Sequence, residues 1–186
     1  MTAYPKPYRF TSDQFHRMAE IGLLKKDQRV ELIDGEVVYM SLVSKRQAGV
    51  VNRVVALLHR LLGEDAIVAV QNPMSVAKYT EAYPDIAALA LRDDYYASEL
   101  PTPADARLII EVADTSLAYD RDVKVPLYAH GGVPEVWVVD LNGDVVHVYR
   151  KPEEGAYTEA RTLTRGDTLP LPGTPGAVVK VEDILG

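Results

Sequence analysis

The stretch Leu108-Ile109-Ile110-Glu111-Val112-Ala113 places one acidic residue inside an otherwise apolar, largely β-branched run. Runs of this kind are typical of a strand that is covered on both faces of a sheet. A carboxylate in such a strand needs a partner, because burying an unpaired charge is strongly unfavourable. The stretch therefore predicts a central strand that delivers Glu111 to a polar site. An arginine partner is the purely structural alternative.

A second acid leads directly into another apolar run, in Tyr83-Pro84-Asp85-Ile86-Ala87-Ala88-Leu89. Mg²⁺ in proteins is commonly held by one or two carboxylates together with water and substrate oxygens. We therefore expect Asp85 and Glu111 to form a cation site, with the backbone carbonyl of Val112 as a further ligand. The alternative for Asp85, which follows a proline, is a turn residue at the start of a strand.

Lys124 lies on the next predicted helix, in the segment Tyr119–Tyr128. A lysine beside a metal-bound phosphate stabilises the charge that develops on phosphorus or orients the attacking water. The structural alternative is a helix salt bridge with Asp120, four residues earlier. Pro126 predicts that this helix starts late or bends. Glu31, on an early strand, is expected to complete the set or to bind a second ion.

The composition is that of one globular domain with a net charge of -7 in 186 residues. We expect a motif-bearing core from about residue 10 to 150 and an irregular β appendage over 151–186. The chain has no cysteine, which excludes disulfides, thiolate ligands and a cysteine nucleophile. The N-terminus lacks a secretory signal and no run is long enough to span a bilayer, so we expect a soluble cytoplasmic protein.

The order of predicted elements indicates an α/β (α+β) fold, a mixed β-sheet flanked by helices with β-hairpin additions. Asp34-Gly35 and Asn142-Gly143 each predict a tight hairpin turn. Thr11 and Gln14 form the sequence pattern of a capping box at the start of a first helix. Ser44 and Gly63 bracket a long amphipathic helix.

One face of that long helix is basic. Arg46, Arg53 and Arg60 recur every seven residues, which places them in one stripe, and residues 45–62 contain no acid. The structural interpretation is a solvated helix face, and the functional one is a surface that faces nucleic-acid phosphates. The acidic net charge requires any nucleic-acid partner to meet such a local basic patch.

These motifs together resemble the Uma-type restriction endonuclease family. The resemblance runs from about Phe10 to Tyr149 and is carried by four motifs. They are Arg29-Val30-Glu31-Leu32-Ile33-Asp34-Gly35-Glu36, Pro84-Asp85-Ile86, Glu111-Val112, and the segment from Asp120-Arg121-Asp122-Val123-Lys124 to Gly132-Val133-Pro134-Glu135-Val136-Trp137-Val138-Val139-Asp140.

The resemblance implies a branch of the PD-(D/E)-x-K nuclease superfamily, with a restriction-endonuclease-like core and cleavage of DNA that depends on Mg²⁺ or Mn²⁺. Asp85 and Glu111 match the two acids, Glu31 matches the early acid, and the lysine is displaced to Lys124. By analogy with other nucleases of this fold, a homodimer is expected.

The chain departs from the family pattern at two positions. Leu42 stands where a proline is usual, and Gln47 stands where a histidine is usual. These departures raise an alternative, a catalytically silent nuclease-fold module with a binding or regulatory role.

Overall fold

The computed structural model describes residues 6–25 and 27–186 of the chain. The α-helices are α1 (Ser12–Glu20), α2 (Lys45–Leu62), α3 (Leu117–Tyr119), α4 (Val125–Gly131) and α5 (Val181–Leu185). The strands are β1 (Val30–Ile33), β2 (Glu36–Tyr39), β3 (Ala66–Val70), β4 (Met74–Ala77), β5 (Thr80–Ala82), β6 (Ile86–Ala90), β7 (Ala106–Ala113), β8 (Glu135–Asp140), β9 (Val145–Glu153), β10 (Ala156–Leu163), β11 (Thr168–Pro170) and β12 (Val178–Lys180).

A six-stranded mixed sheet in the order β10-β9-β8-β7-β6-β3 forms the centre of the fold. Only its β7–β8 pair is parallel, and the connection between those two strands carries α3, a π-helical turn and α4. A parallel pair requires such a crossover, because the chain must return to the end of the sheet at which the first strand began. A four-stranded sheet, β2-β1-β5-β4, and the β11–β12 pair complete the architecture. The predicted mixed sheet flanked by helices is confirmed.

The central strands are buried on both faces, as the apolar runs predict. Ile110 and Val112 pack with the apolar face of α2 and with the C-terminal segment. Ile109 and Ala113, which point the opposite way, pack with residues of α4. Glu111 follows the same alternation and therefore faces the crossover helix, not α2.

The capping signals and the first of the two turn signals are also confirmed. The Thr11 side chain caps α1 in a capping box with Gln14, and Ser44 caps α2. The β1–β2 hairpin turns through Asp34 and Gly35, whose φ angles are 49° and 80°. Both angles are positive, as a type I′ turn requires.

The crossover helix does not start late at Pro126, because helical backbone runs without a break from Leu117 to Gly131. Residues Asp120–Lys124 form a π-helical turn in which the N–H of Val125 donates to the Asp120 carbonyl. Helix α4 continues directly from this turn at Val125, so Pro126 lies where the winding changes from π to α.

The sequence-based picture needs correction in three places. Strand β5 was not expected, although Thr80, Glu81 and Ala82 are all buried in it. The β8–β9 loop extends over Leu141–Asp144, and its positive φ angle of 53° belongs to Asp144.

The C-terminal segment is the third. It was expected to be irregular, but β10 is a regular eight-residue strand. Its polar composition suits a strand with one solvated face. Apolar residues of the last part, including Leu169, Val181 and Ile184, join the core beside α2. The division of the chain into a single domain remains a prediction. In the part of the chain that the structure describes, no helix has the length and apolar character needed to cross a membrane.

We predict opposite stability effects for two alanine substitutions. Gly49→Ala should stabilise the protein by about 0.5–1 kcal/mol, because Gly49 lies inside α2 and a Cβ there meets nothing within 4 Å. Gly131→Ala should destabilise it by roughly 1–3 kcal/mol, since its Cβ would lie 2.8 Å from Pro103 Cγ and 3.1 Å from Val76 Cγ1. Urea denaturation measures both, and a shift of both midpoints in the same direction would contradict the packing described for α4.

Candidate functional site

The four residues singled out from the sequence line one cleft of about 280 Å³. Glu31 comes from β1, Asp85 immediately precedes β6, Glu111 is near the end of β7, and Lys124 ends the π-helical turn. All four side chains are largely removed from solvent, with residue exposures between 2% and 7%. The fold therefore brings together residues that are far apart in the sequence.

The amine of Lys124 lies between two carboxylates. Its Nζ is 3.0 Å from Oε1 of Glu31 and 3.3 Å from Oε1 of Glu111. The alternative salt bridge with Asp120 is not what the described residues form: Asp120 accepts a hydrogen bond of 2.5 Å from the Ser116 hydroxyl instead. Lys124 is thus directed into the cleft by the turn that carries it.

Glu111 is tied to three elements. Besides Lys124, the hydroxyl of Tyr128 on α4 donates to its Oε1 at 2.6 Å, and the backbone N–H of Asp85 donates to its Oε2 at 3.3 Å. The arginine partner considered as an alternative is therefore replaced by a lysine and a tyrosine. Glu31 is held in turn by the N–H of Tyr83, which donates to its Oε1 at 2.8 Å.

Asp85 accepts hydrogen bonds on both carboxylate oxygens. The N–H of Val112 donates to Oδ2 at 2.9 Å, and the amide of Gln71 donates to Oδ1 at 3.0 Å. The amide of Gln47 donates to both oxygens, at 3.2 and 3.4 Å. Asp85 is therefore more than a turn residue: its carboxylate links the end of β7 to α2 and to the segment after β3.

The predicted carbonyl ligand is consistent with this geometry. In an extended strand, the N–H and C=O of one residue point to the same side. Because the N–H of Val112 points to Asp85, its carbonyl oxygen also faces the Asp85 side of β7.

Burial changes the acid–base properties of the cleft. Burial raises the pKa of Glu111 to about 8, opposed by Lys124 and reinforced by the neighbouring carboxylates. Burial also raises the pKa of Asp120, and that of Tyr119 to about 12. For Lys124, burial opposes the charged form, but Glu111, Glu31 and Asp120 outweigh it and raise the pKa of the amine. Lys124 is therefore a permanent cation among an excess of acids.

The donor set suits a cation that keeps part of its water shell. Within residues 6–25 and 27–186, no three His, Cys, Asp or Glu side chains are arranged to enclose a metal ion. Two carboxylates and one carbonyl, which are all hard oxygen donors, fit the incomplete protein shell that Mg²⁺ accepts.

The three arginines of the basic stripe on α2 differ in their contacts. Arg46 donates to the Leu141 carbonyl and to the Asn142 side chain at 3.2 Å, and Arg53 donates to the Leu185 carbonyl at 3.0 Å. Arg60 is exposed. Nη1 of Arg46 also lies 3.9 Å from Oδ1 of Asp114, so its charge is partly paired, whereas Arg53 contacts neutral carbonyls. Both arginines also support the fold. Arg46 lies one residue before Gln47, which contacts Asp85.

Sequence reasoning missed Tyr128, Gln71 and Arg29 as contributors to the cleft. Tyr128 was detectable in principle, because it lies four residues after Lys124 and helical spacing places both on one face. Gln71 gives no local signal, since its contact with Asp85 arises only from the pairing of β3 with β6. Arg29 donates to the Gln71 side chain at 3.1 Å.

A solved structure has the same fold. It is the crystal structure of a "putative nuclease belonging to DUF820" from Anabaena variabilis ATCC 29413, with a TM-score of 0.76 and 16% sequence identity. The match covers 95% of this chain and 97% of that one. At this identity the similarity establishes the fold, and the fold agrees with the restriction-endonuclease-like architecture expected from the sequence.

Sequence comparison identifies the family. No curated protein sequence matches the chain. The model of the Uma2 family, described as "Putative restriction endonuclease", matches residues 12–182, which is nearly the whole chain. The chain therefore belongs to the Uma2 family.

Proposed function

We propose that this protein is a divalent-metal-dependent DNA endonuclease that hydrolyses phosphodiester bonds at the cleft formed by Glu31, Asp85, Glu111 and Lys124. Its family and fold support a nuclease-like function. The observation that carries the more specific proposal is the convergence of Asp85 and Glu111, joined through the Asp85 N–H at 3.3 Å, with the Lys124 amine beside them.

Asp85, Glu111 and the carbonyl of Val112 would hold Mg²⁺ or Mn²⁺ in this proposal. Restriction-endonuclease-like nucleases generally use divalent metals. When bound, such an ion stabilises the negative charge on the phosphoryl group and lowers the pKa of a coordinated water. The fixed hydrogen bonds to Asp85 from Val112 and Gln71 orient the carboxylate in advance. This orientation reduces the reorganisation that binding would require.

Lys124 is the proposed electrostatic and water-positioning residue. Its amine is already desolvated and stays protonated, so it presents a full positive charge where charge develops on the phosphate. Glu31 also holds the amine, with its Oε1 at 3.0 Å from Nζ. Glu31 thus supports the reaction through the lysine, and the same carboxylate is the candidate ligand for a second ion.

DNA is the proposed substrate, and Arg46, Arg53 and Arg60 are proposed to face its backbone. From Arg46 to Arg60 the helix rises about 21 Å. This length corresponds to about six base pairs at 3.4 Å each. Arg46 is next to the cleft through Gln47, so a strand bound at Asp85 could continue along the stripe. Dimerisation and a cytoplasmic location remain predictions.

A silent nuclease-fold module is the second candidate, and Gln47 favours it. Its amide donates to both oxygens of Asp85 and so occupies acceptor positions that a cation would use. A protein in which this amide is not displaced would keep the fold without turning over DNA.

We predict that purified protein nicks supercoiled plasmid in the presence of Mg²⁺ or Mn²⁺, and that Asp85→Asn and Lys124→Met each reduce the rate about 100-fold or more. Asp85→Asn removes a charged oxygen ligand, and Lys124→Met removes the only buried cation found in the described part of the cleft. Gel electrophoresis of the nicked product measures the rates.

Asp13→Asn on α1 and Lys6→Met are matched controls at exposed positions and should retain the wild-type rate. Thermal melting must accompany the Lys124 variant, because removing one partner of a buried ion pair can destabilise a protein by about 3–5 kcal/mol. Metal binding by a folded protein that nicks no DNA form would favour the silent module.

We predict that cation binding near pH 7 releases protons, because burial raises the pKa of Glu111 and a metal ligand must be ionised. The affinity for Mg²⁺ should rise with pH up to about 8 and then level off. Calorimetry in two buffers with different ionisation enthalpies measures the release. Glu111→Gln should show none, and identical heats in both buffers for the wild type would refute the assignment.

We predict that Arg60→Met lowers the affinity for DNA without changing the melting temperature, and that Arg53→Met lowers both. Each loss of a phosphate contact should reduce the slope of log affinity against log salt by about 1. Arg17→Met, on α1 and paired with Glu20, is the control. An unchanged salt slope in the Arg46, Arg53 and Arg60 variants would return the stripe to a solvated helix face.

A further inference from the structure

We propose that Gln71, oriented by Arg29, is a positioning residue that fixes the plane of the Asp85 carboxylate and thereby sets the cation affinity of the cleft. The inference rests on the metal site of the proposed function, but it concerns Gln71, which lies outside the quoted motifs, and it gives Arg29 a role that the motif does not assign.

Arg29, Gln71 and Asp85 are joined by side-chain hydrogen bonds. Nη2 of Arg29 donates to Oε1 of Gln71 at 3.1 Å, and Nε2 of Gln71 donates to Oδ1 of Asp85 at 3.0 Å. A guanidinium can only donate, and an ionised carboxylate can only accept. The two neighbours therefore permit only one orientation of the Gln71 amide, with its oxygen toward Arg29 and its nitrogen toward Asp85.

The backbone also places Gln71 beside Asp85. Strand β3 ends at Val70, which pairs with Ile86 of the neighbouring strand β6. In this antiparallel register Gln71 therefore lies beside Asp85. Gln71 has a φ angle of 51°, which is unusual for a residue other than glycine. Its N–H donates to the carbonyls of Pro84 and Asp85, both at 3.2 Å. The contact is thus built from main chain as well as side chain, and such backbone strain commonly persists where surrounding contacts enforce it.

Two donors on different oxygens of Asp85 fix the plane of its carboxylate. Gln71 holds Oδ1 of Asp85, and the N–H of Val112 holds Oδ2 at 2.9 Å. Rotation of the carboxylate about its Cβ–Cγ bond would break one of these hydrogen bonds. The remaining lone pairs of Asp85 are therefore aimed in a fixed direction.

Gln47 provides an internal contrast. Its amide also reaches Asp85, but among the hydrogen bonds of residues 6–25 and 27–186 none anchors its Oε1. The Gln47 amide can turn away, or turn its oxygen inward, without breaking a second contact. Of the two glutamines, only Gln71 is locked, so only Gln71 can keep Asp85 oriented when a cation displaces Gln47.

The experiment is a double-mutant cycle on Gln71 and Arg29, with Mg²⁺ binding measured by calorimetry on the full chain. Gln71→Leu should weaken Mg²⁺ binding about 10- to 100-fold, the usual range when a partner of a metal ligand is removed. Arg29→Met should weaken it in the same direction by a smaller factor. The double variant should bind no more weakly than Gln71→Leu, because Arg29 acts through Gln71.

Two further measurements separate positioning from general stability. Gln28→Leu, at a neighbouring glutamine that contacts Tyr39 instead of Asp85, should bind Mg²⁺ as the wild type does. In NMR spectra of the metal-free protein, the side-chain amide signal lost in Gln71→Leu should shift in Arg29→Met. Should Gln71→Leu fail to fold, Gln71→Asn keeps the amide but withdraws it by one methylene, and the same loss is expected.

Mg²⁺ binding by Gln71→Leu within twofold of the wild type would overturn the inference, as would wild-type protein that binds neither Mg²⁺ nor Mn²⁺. If the losses of Mg²⁺ affinity in Gln71→Leu and Arg29→Met simply multiply in the double variant, Arg29 acts independently of Gln71 and does not orient it. A wild type that binds Mg²⁺ with the predicted cycle and yet nicks no plasmid would refute the proposed nuclease activity and leave the role of Gln71 intact.

Discussion

The buried Glu111 carboxylate is the constraint on which the candidate site depends. An acid at this depth is tolerated only with partners, and here the partners come from other parts of the chain: Lys124 and Tyr128 from the crossover, and the Asp85 N–H from the start of β6. Each partner reaches Glu111 only if the central sheet and the crossover helix are correctly packed. The free energy of burying one charge is therefore linked to the assembly of the whole cleft.

The parallel pairing of β7 with β8 explains why the cleft lies where it does. The connection between these strands leaves the end of β7 just after Glu111 and must pass over the sheet before β8 begins. It therefore places Lys124 and Tyr128 directly above the acid they contact. The antiparallel neighbours, β6 and β3, then bring Asp85 and Gln71 to the same end of the sheet. Topology thus gathers groups that are separated by up to 57 residues in the sequence, the distance from Gln71 to Tyr128.

The sequence predicts local features and motif residues well because their causes are local. Capping residues, the Asp34-Gly35 turn and the apolar face of α2 each depend on a few neighbouring positions, and the structure contains all three. The short strand β5 was missed because three residues are too few to show an alternating pattern. Gln71 was missed for a different reason: a polar residue beside a proline resembles a loop residue until the pairing of distant strands reveals its partner. The contacts of Arg46 and Arg53 with backbone carbonyls were equally inaccessible, since they depend on where the β8–β9 loop and the C-terminal segment pack.

The π-helical turn at Asp120–Lys124 has a consequence for how such a site can be lost. Successive residues of an α-helix are rotated by about 100° about its axis. A single deletion within this turn would convert it to regular α-helix and turn Lys124 away from Glu111, although every residue named in the cleft would still be present. The converse also holds: one inserted residue can bring a lysine from a helix flank into a cleft. The distance in sequence between acid and lysine is therefore a property of the backbone winding, and intact motif letters alone do not guarantee an intact cluster.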